Sequence, residues 1–133
     1  MSTTSTTATV SRVGVVCIPT ADQDRAIAFY TETLGLELRA DVPFGGDYRW
    51  VEVAPAGGEA RIAVVPPPPG KPTGGMETGI GLETTDIDGF HARLKAAGVD
   101  VDDEVSRYGG PVPPMFWLRD PDGNSLIVVQ PAE

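Results

Sequence analysis

Two glutamates on separate apolar segments are the residues of this 133-residue chain best placed to do chemistry. Glu83 ends the run TGIGLE, and Glu52 lies two positions after Trp50 in YRWVEV. Because side chains two positions apart lie on the same face of a strand, Glu52 and Trp50 should share a face. A carboxylate beside apolar groups can act as a general base or bind a cation. For Glu83, a solvated acid at the end of a strand is an equally good interpretation.

Aromatic and thioether side chains form a second candidate group. Met115, Trp117 and Arg119 alternate in MFWLR and so share one face of their predicted strand. With Trp50 they offer the apolar surface that a small-molecule pocket needs, although the same side chains can fill the space between a sheet and a helix. The candidate ligand-binding residues are therefore Cys17, Trp50, Glu52, Glu83, Met115 and Trp117, and the two glutamates are also the catalytic candidates.

The single cysteine and the single histidine suggest structural roles. Cys17 shares a strand face with Val15 and can line a cavity, but no basic residue near it in the sequence would activate the thiol, and we expect it to be buried and inert. His91 lies beside the apolar stripe of a predicted helix, and a lone histidine cannot build a multi-histidine metal site. On a long Gly/Pro loop, Arg107 and Tyr108 can close over a ligand, but an ordinary exposed loop is the better interpretation.

Composition narrows the function classes. Nineteen acidic against ten basic residues give a net charge of −9, which disfavours binding to nucleic acid or to anionic membranes. No apolar run approaches the ~20 residues of a membrane span. One cysteine cannot form an internal disulfide, so we expect a reducing, cytoplasmic environment. Residues 1–11 are typical of a flexible polar tail, and residues 12–133 of one domain.

The elements that position these residues are predicted by an internal repeat. The segment from Thr20 to Gly35 (TADQDRAIAFYTETLG) returns, 64 positions later, as Thr84 to Gly98 (TTDIDGFHARLKAAG), with the closing glycines one position out of step. Each copy predicts a helix that follows one strand and precedes three, and so a βαβββ order used twice. Module one spans about 12–66, a Pro/Gly linker 67–76, and module two about 77–131.

The predicted boundaries follow from caps, turns and periodicity. The helices should begin near Asp22 and Asp86 and end at the two closing glycines. The first strand is almost wholly apolar, which favours cover on both faces. In the turn RDPDGN, Gly123 or Asn124 should take a positive φ. The predicted strands are Val13–Ile18, Leu36–Ala40, Tyr48–Val53, Arg61–Val65, Thr78–Glu83, Val99–Val101, Met115–Arg119 and Ser125–Gln130.

These features together resemble the vicinal oxygen chelate superfamily, the group of glyoxalases, bleomycin-resistance proteins and extradiol dioxygenases. The likeness rests on AIAFYTETLGLEL (Ala26–Leu38), LKAAGV (Leu94–Val99) and RDPDGNSL (Arg119–Leu126), and it extends over nearly all of 13–130. The resemblance implies an α+β fold in which two βαβββ modules form a half-open eight-stranded barrel around a cavity, commonly as a homodimer.

The resemblance also implies where a metal would be held. In the metalloenzymes of the family, His, Gln or Glu ligands lie on the cavity-facing strands. The matching positions here hold Val15, Ala63, Gly79 and Ile127, whose side chains have no donor atom for a divalent metal. We therefore expect no metal and no other cofactor.

The resulting hypothesis is a metal-free member of this superfamily that binds a small, partly aromatic molecule between its modules. The alternative is a small-molecule enzyme of lyase, isomerase or dioxygenase type, using glutamate acid–base chemistry or a displaced metal site. A regulatory or scaffolding dimer with a filled cavity is a third class. The sequence leaves open whether any reaction is catalysed.

Overall fold

A computed structural model describes residues 7–43 and 45–132. The first six residues of the predicted tail, Phe44 and Glu133 lie outside the described residues. Strands and helices follow one another in the predicted order, βαβββ twice. The fold is α+β, with two four-stranded mixed sheets.

Each module forms one sheet whose first and last strands pair in parallel. Sheet one has the order β1-β4-β3-β2, and sheet two has the order β5-β8-β7-β6. In chain order the strands are β1 Val15–Pro19, β2 Glu37–Pro43, β3 Arg49–Ala54, β4 Arg61–Val65, β5 Glu77–Glu83, β6 Asp100–Val101, β7 Met115–Arg119 and β8 Ser125–Val129.

The two helices begin at aspartate caps. The Asp22 carboxylate accepts a hydrogen bond from the backbone N–H of Arg25 at the start of α1 (Gln23–Ala28), and Asp86 caps α2 (Ile87–Ala96) in the same way. Ala97 is the C-cap of α2 and is exposed.

Module one continues α1 through a π-helical turn, Phe29–Thr33. There the N–H of Leu34 bonds the carbonyl of Phe29, five residues back. A π turn takes up one more residue than an α turn. It therefore accounts for the closing glycines, Gly35 and Gly98, being one position out of step in the repeat.

One hydrophobic core joins the two modules. Both helices and one face of each sheet contribute to it, with Ile18 and Tyr30 from module one and Leu94, Phe116 and Leu118 from module two. The other face of each sheet is open. The barrel implied by the resemblance is not closed within this chain, because the two sheets remain separate.

The open face of sheet one corrects the prediction for its first strand. Ile18 of β1 is fully buried, but Val15 is 38% exposed and Cys17 is exposed. The apolar run is therefore covered on one face only. Apolar side chains on the uncovered face indicate a surface that can receive something else.

The turn RDPDGN fastens module two to module one. Its Asp122 carboxylate accepts hydrogen bonds from the Thr20 hydroxyl (2.6 Å), the Ala21 N–H (3.0 Å) and the Arg25 guanidinium (2.7 Å). Asn124 donates to the Pro19 carbonyl at 2.9 Å. The turn itself uses Gly123, at φ 82°, for the positive φ.

Tyr30 completes this attachment from within the core. Its hydroxyl donates to the buried Asp120 carboxylate at 2.7 Å. Burial, and then the negative charge of Asp120, raise the pKa of Tyr30 far above its ordinary value. The folded protein therefore keeps this proton at a pH where the unfolded chain loses it.

Stability should consequently fall as the pH rises above about 10, the pKa of an unfolded tyrosine. The loss attributable to Tyr30 has a limiting slope of about 1.4 kcal/mol per pH unit. Urea unfolding between pH 8 and pH 11.5 should show a shallower loss in Tyr30→Phe than in the wild type. The exposed Tyr108, changed to Phe, is the matched control and should keep the wild-type slope. Equal slopes for all three proteins would contradict this assignment.

Candidate functional site

The open face of sheet one gathers three of the predicted site residues. Strand pairing places Cys17 beside Ala63, and Ala63 beside Glu52. Cys17, Ala63 and Glu52 therefore form one row across the sheet. Trp50 lies two positions before Glu52 on the same face, as predicted. Cys17 is exposed rather than buried, because it points away from the helix-covered side.

The Glu52 carboxylate is held by two partners. One oxygen lies 2.8 Å from Nε of Arg61, and the other accepts the Trp50 indole N–H at 2.8 Å. The Glu52 side chain is 15% exposed and that of Arg61 30%. The pair therefore fixes the indole plane and leaves the carboxylate charge matched. Arg61 is a residue that the sequence interpretation missed, because its contact with Glu52 depends on the pairing of β3 with β4.

The other three predicted site residues lie on sheet two. Met115 and Trp117 of β7 are half-buried, and Glu83 at the end of β5 is exposed. β7 pairs with β8, and β8 pairs with β5, which places Trp117, Ile127 and Gly81 side by side. The structure thus forms two groups on two sheets and does not join all six residues within one chain.

The glycines of β5 have different roles. Gly79 has φ 71° and lies where the pairing with β8 shifts register, so its backbone conformation requires glycine. At Gly81, a Cβ would meet the Ile127 side chain at 3.6 Å, an ordinary contact distance. Gly79 is therefore required by its backbone conformation, whereas Gly81 is not.

The edge of sheet two is fixed by Asp102, a second residue missed from the sequence. Its carboxylate accepts the backbone N–H of Trp117 at 2.9 Å and a guanidinium N–H of Arg119 at 3.0 Å. Arg119 also lies 3.6 Å from Asp100. Asp102 follows a two-residue strand, and nothing in its local sequence distinguishes it from a solvated loop acid.

His91 and the long loop are held away from these faces. His91 is 9% exposed. Its ring packs edge-on against Phe116, and its Nε2 lies 2.7 Å from the Asp102 carbonyl. Arg107 pairs with Asp88 at 2.7 Å, which raises the pKa of the guanidinium. The loop is therefore tied to α2.

The Pro/Gly linker forms the wall of a pocket beside sheet one. The pocket has a volume of about 500 Å³ and reaches Cys17 at one side. Its lining is dominated by proline rings and other apolar groups from Cys17, Pro19, Val65, Pro66, Pro67, Pro68, Lys71, Pro72, Gly74, Gly75 and Met76.

The donor chemistry does not fit the metal that the resemblance would imply. Val15, Ala63, Gly79 and Ile127 lie on the strands where such ligands would stand, and none has a donor side chain. Across residues 7–43 and 45–132, no group of three His, Cys, Asp or Glu residues is arranged to hold an ion. Within the same ranges, no helix is long and apolar enough to cross a membrane.

The fold agrees with that of the proteins to which the chain is similar. The family profile Glyoxalase/Bleomycin resistance protein/Dioxygenase superfamily matches residues 12–128. The chain belongs to this superfamily.

Three individual proteins are similar to this chain over most of their length. TnmS3, an antibiotic binding protein from Streptomyces sp. CB03234, is 36% identical, with a TM-score of 0.81 over 95% of this chain and 100% of that one. A superfamily member from Sphaerobacter thermophilus DSM 20745 is 32% identical, with a TM-score of 0.80 over 91% and 98%. The uncharacterized protein YetH of Bacillus subtilis (strain 168) is 32% identical over 90% of this chain and 98% of its own.

Proposed function

We propose that this protein binds a small, partly aromatic molecule on its open sheet faces, without a metal, and acts by binding rather than by catalysis. The observation that carries the proposal is a tryptophan on the face of each sheet that does not contribute to the core. Trp50 and Trp117 are both half-buried, and neither belongs to the hydrophobic core that the helices share with the sheets. Indole surfaces at such positions supply apolar contact area, and the N–H of Trp50 is already used by Glu52.

The side chains on the two open faces complement one another. Sheet one contributes Cys17, Trp50 and the Glu52–Arg61 pair, and sheet two contributes Met115, Trp117 and the exposed Glu83 carboxylate. Because Glu52 is already paired, Glu83 is the carboxylate that would meet a cationic or hydrogen-bonding group of the ligand. Similarity to the antibiotic binding protein TnmS3 supports an antibiotic or a similar small molecule as the ligand.

A homodimer would bring the two groups together. The open faces point away from the shared core, so one chain cannot enclose a ligand between them. If sheet one of one copy faces sheet two of another, Trp50 and Trp117 come to opposite walls of one cavity. Exposed apolar residues on the open face of sheet one, Val15 and Val42, would be covered in the same step. A cytoplasmic location remains a prediction from the single cysteine.

The test is a titration of aromatic natural products, antibiotics included, against the wild type, Trp50→Ala and Trp117→Ala. For a ligand that the wild type binds, each variant should bind about 30-fold more weakly, since a buried tryptophan anchor is worth about 2 kcal/mol. Tyr108→Ala removes an exposed loop aromatic and should bind like the wild type. A chelator should change none of these affinities. Wild-type affinity in both tryptophan variants would overturn the proposal.

A further inference from the structure

The pocket under the Pro/Gly linker is preformed. Its wall begins at β4, where the Thr20 N–H bonds the Val65 carbonyl at 3.0 Å, and passes through four consecutive prolines, Pro66 to Pro69, whose rings restrict φ. The other end is fastened to the RDPDGN turn, where the Gly75 N–H bonds the Asp122 carbonyl at 2.9 Å. A wall held at both ends offers a ligand a shape that costs little ordering on binding.

The size and lining of this pocket fit one ring system of a small molecule. A volume of about 500 Å³ lies within the range of ligand pockets. The chain's own N-terminal residues, MSTTSTTATVS, are mostly hydroxylic and do not match an apolar lining. Proline and methionine side chains present apolar surface without hydrogen-bond donors, which favours a hydrophobic group over a sugar or a nucleotide.

Lys71 gives the pocket a charge that is unusual for this chain. Most basic side chains have an acidic partner, as Arg25 has Asp122 and Arg61 has Glu52. Arg93 stacks on Phe90 instead, and Lys95 donates to a backbone carbonyl. Within residues 7–43 and 45–132, the Lys71 ammonium group has no acidic, carbonyl or aromatic partner, although the chain carries a net charge of −9.

We propose that the linker pocket binds the apolar ring system of an organic anion whose acidic group pairs with Lys71. The inference rests on the proposed function, because Cys17 belongs both to the open face of sheet one and to this pocket. It adds a ligand class, a ring-bearing carboxylate, sulfonate or phenolate, and assigns the linker as the part of the chain that selects it.

The first experiment compares two dyes that differ mainly in charge, anilinonaphthalene sulfonate and neutral N-phenylnaphthylamine, by fluorescence titration. Lys71→Ala should weaken binding of the sulfonate about fivefold, the effect of one partly exposed ion pair, and leave the neutral dye within about twofold. Lys95→Ala, which removes the same charge from α2, should change neither. Equal effects of the two lysine variants on the sulfonate would overturn the proposal.

The second experiment locates the dye. Cys17 is exposed and is the only cysteine, so its reaction rate with a disulfide reagent reports on access to the pocket. Saturating sulfonate dye should slow the reaction severalfold in the wild type and, at the same dye concentration, less in Lys71→Ala. An unchanged rate in the wild type would show that the dye binds elsewhere and would overturn the inference.

The two proposals can fail separately. Loss of antibiotic binding in Trp50→Ala and Trp117→Ala, with Cys17 unprotected by the dye, would leave the proposed function standing and reject the linker pocket. Protection of Cys17 that depends on Lys71, with wild-type ligand affinity in both tryptophan variants, would support the linker pocket as a site and reject the function on the sheet faces.

Discussion

Replacing Asp120 by alanine should lower the free energy of unfolding by about 3–5 kcal/mol. Asp120 is 6% exposed, and its carboxylate accepts four hydrogen bonds. They come from the Tyr30 hydroxyl at 2.7 Å, the backbone N–H groups of Asp122 and Asn124 at 2.9 Å, and the Asn124 side-chain amide at 3.1 Å. Alanine leaves these donors without an acceptor, and a buried unpaired donor costs about 1–3 kcal/mol.

Urea unfolding at neutral pH measures this loss, and a second aspartate-to-alanine variant provides the control. Asp103 is exposed, and no hydrogen bond or ion pair of its side chain is seen with any residue of the described ranges. Asp103→Ala should therefore stay within about 0.5 kcal/mol of the wild type. A loss below about 1 kcal/mol in Asp120→Ala would mean that the turn does not hold the two modules together.

For the same turn, the local sequence predicts the backbone geometry but not the long-range contacts. Its tight geometry was predictable from Pro121 and Gly123, because their φ preferences are local. Its role in attaching module two to module one was not predictable. Its partners Tyr30 and Thr20 are about a hundred residues away along the chain, and no local preference specifies them. The one available signal was chemical: two aspartates and an asparagine exceed what a five-residue turn needs for itself.

The fold was predictable because a repeat constrains both halves at once. The π turn adds one residue between Asp22 and Gly35, and the sequence already shows this residue as the one-position offset of the closing glycines. Local patterns could not predict whether one face of each sheet or both faces are covered by other elements. An apolar run such as β1 is compatible with cover on one face or on two, and the structure shows one, which exposes Cys17.

For the candidate site residues, the sequence predicted which of them share a strand face but not which residues they contact. Alternation placed Trp50 with Glu52, and Met115 with Trp117, on common faces, as strand geometry requires. Cross-strand register decides that Arg61 meets Glu52 and that Asp102 holds the backbone of Trp117. Register depends on long-range pairing, which is why the charge-matched state of Glu52 was missed.

Gly74→Ala should lower the free energy of unfolding by about 1–3 kcal/mol and weaken binding of the sulfonate dye in the linker pocket. A Cβ at Gly74 would overlap the Asp122 carbonyl oxygen, so that the backbone of the linker or of the turn must move. This carbonyl is the acceptor for Gly75, and moving it detaches the wall at its fixed end. Gly74 has no positive φ, so the cost arises from contact alone.

Gly81→Ala is the matched control, because it adds the same methyl group at a position that also has no positive φ. There the methyl would lie 3.6 Å from the Ile127 side chain, and the stability should stay within about 0.5 kcal/mol of the wild type. Urea unfolding and the dye titration are run on both variants. If Gly74→Ala unfolds and binds as Gly81→Ala does, the linker is not positioned by the turn, and the pocket wall must be held by its β4 end alone.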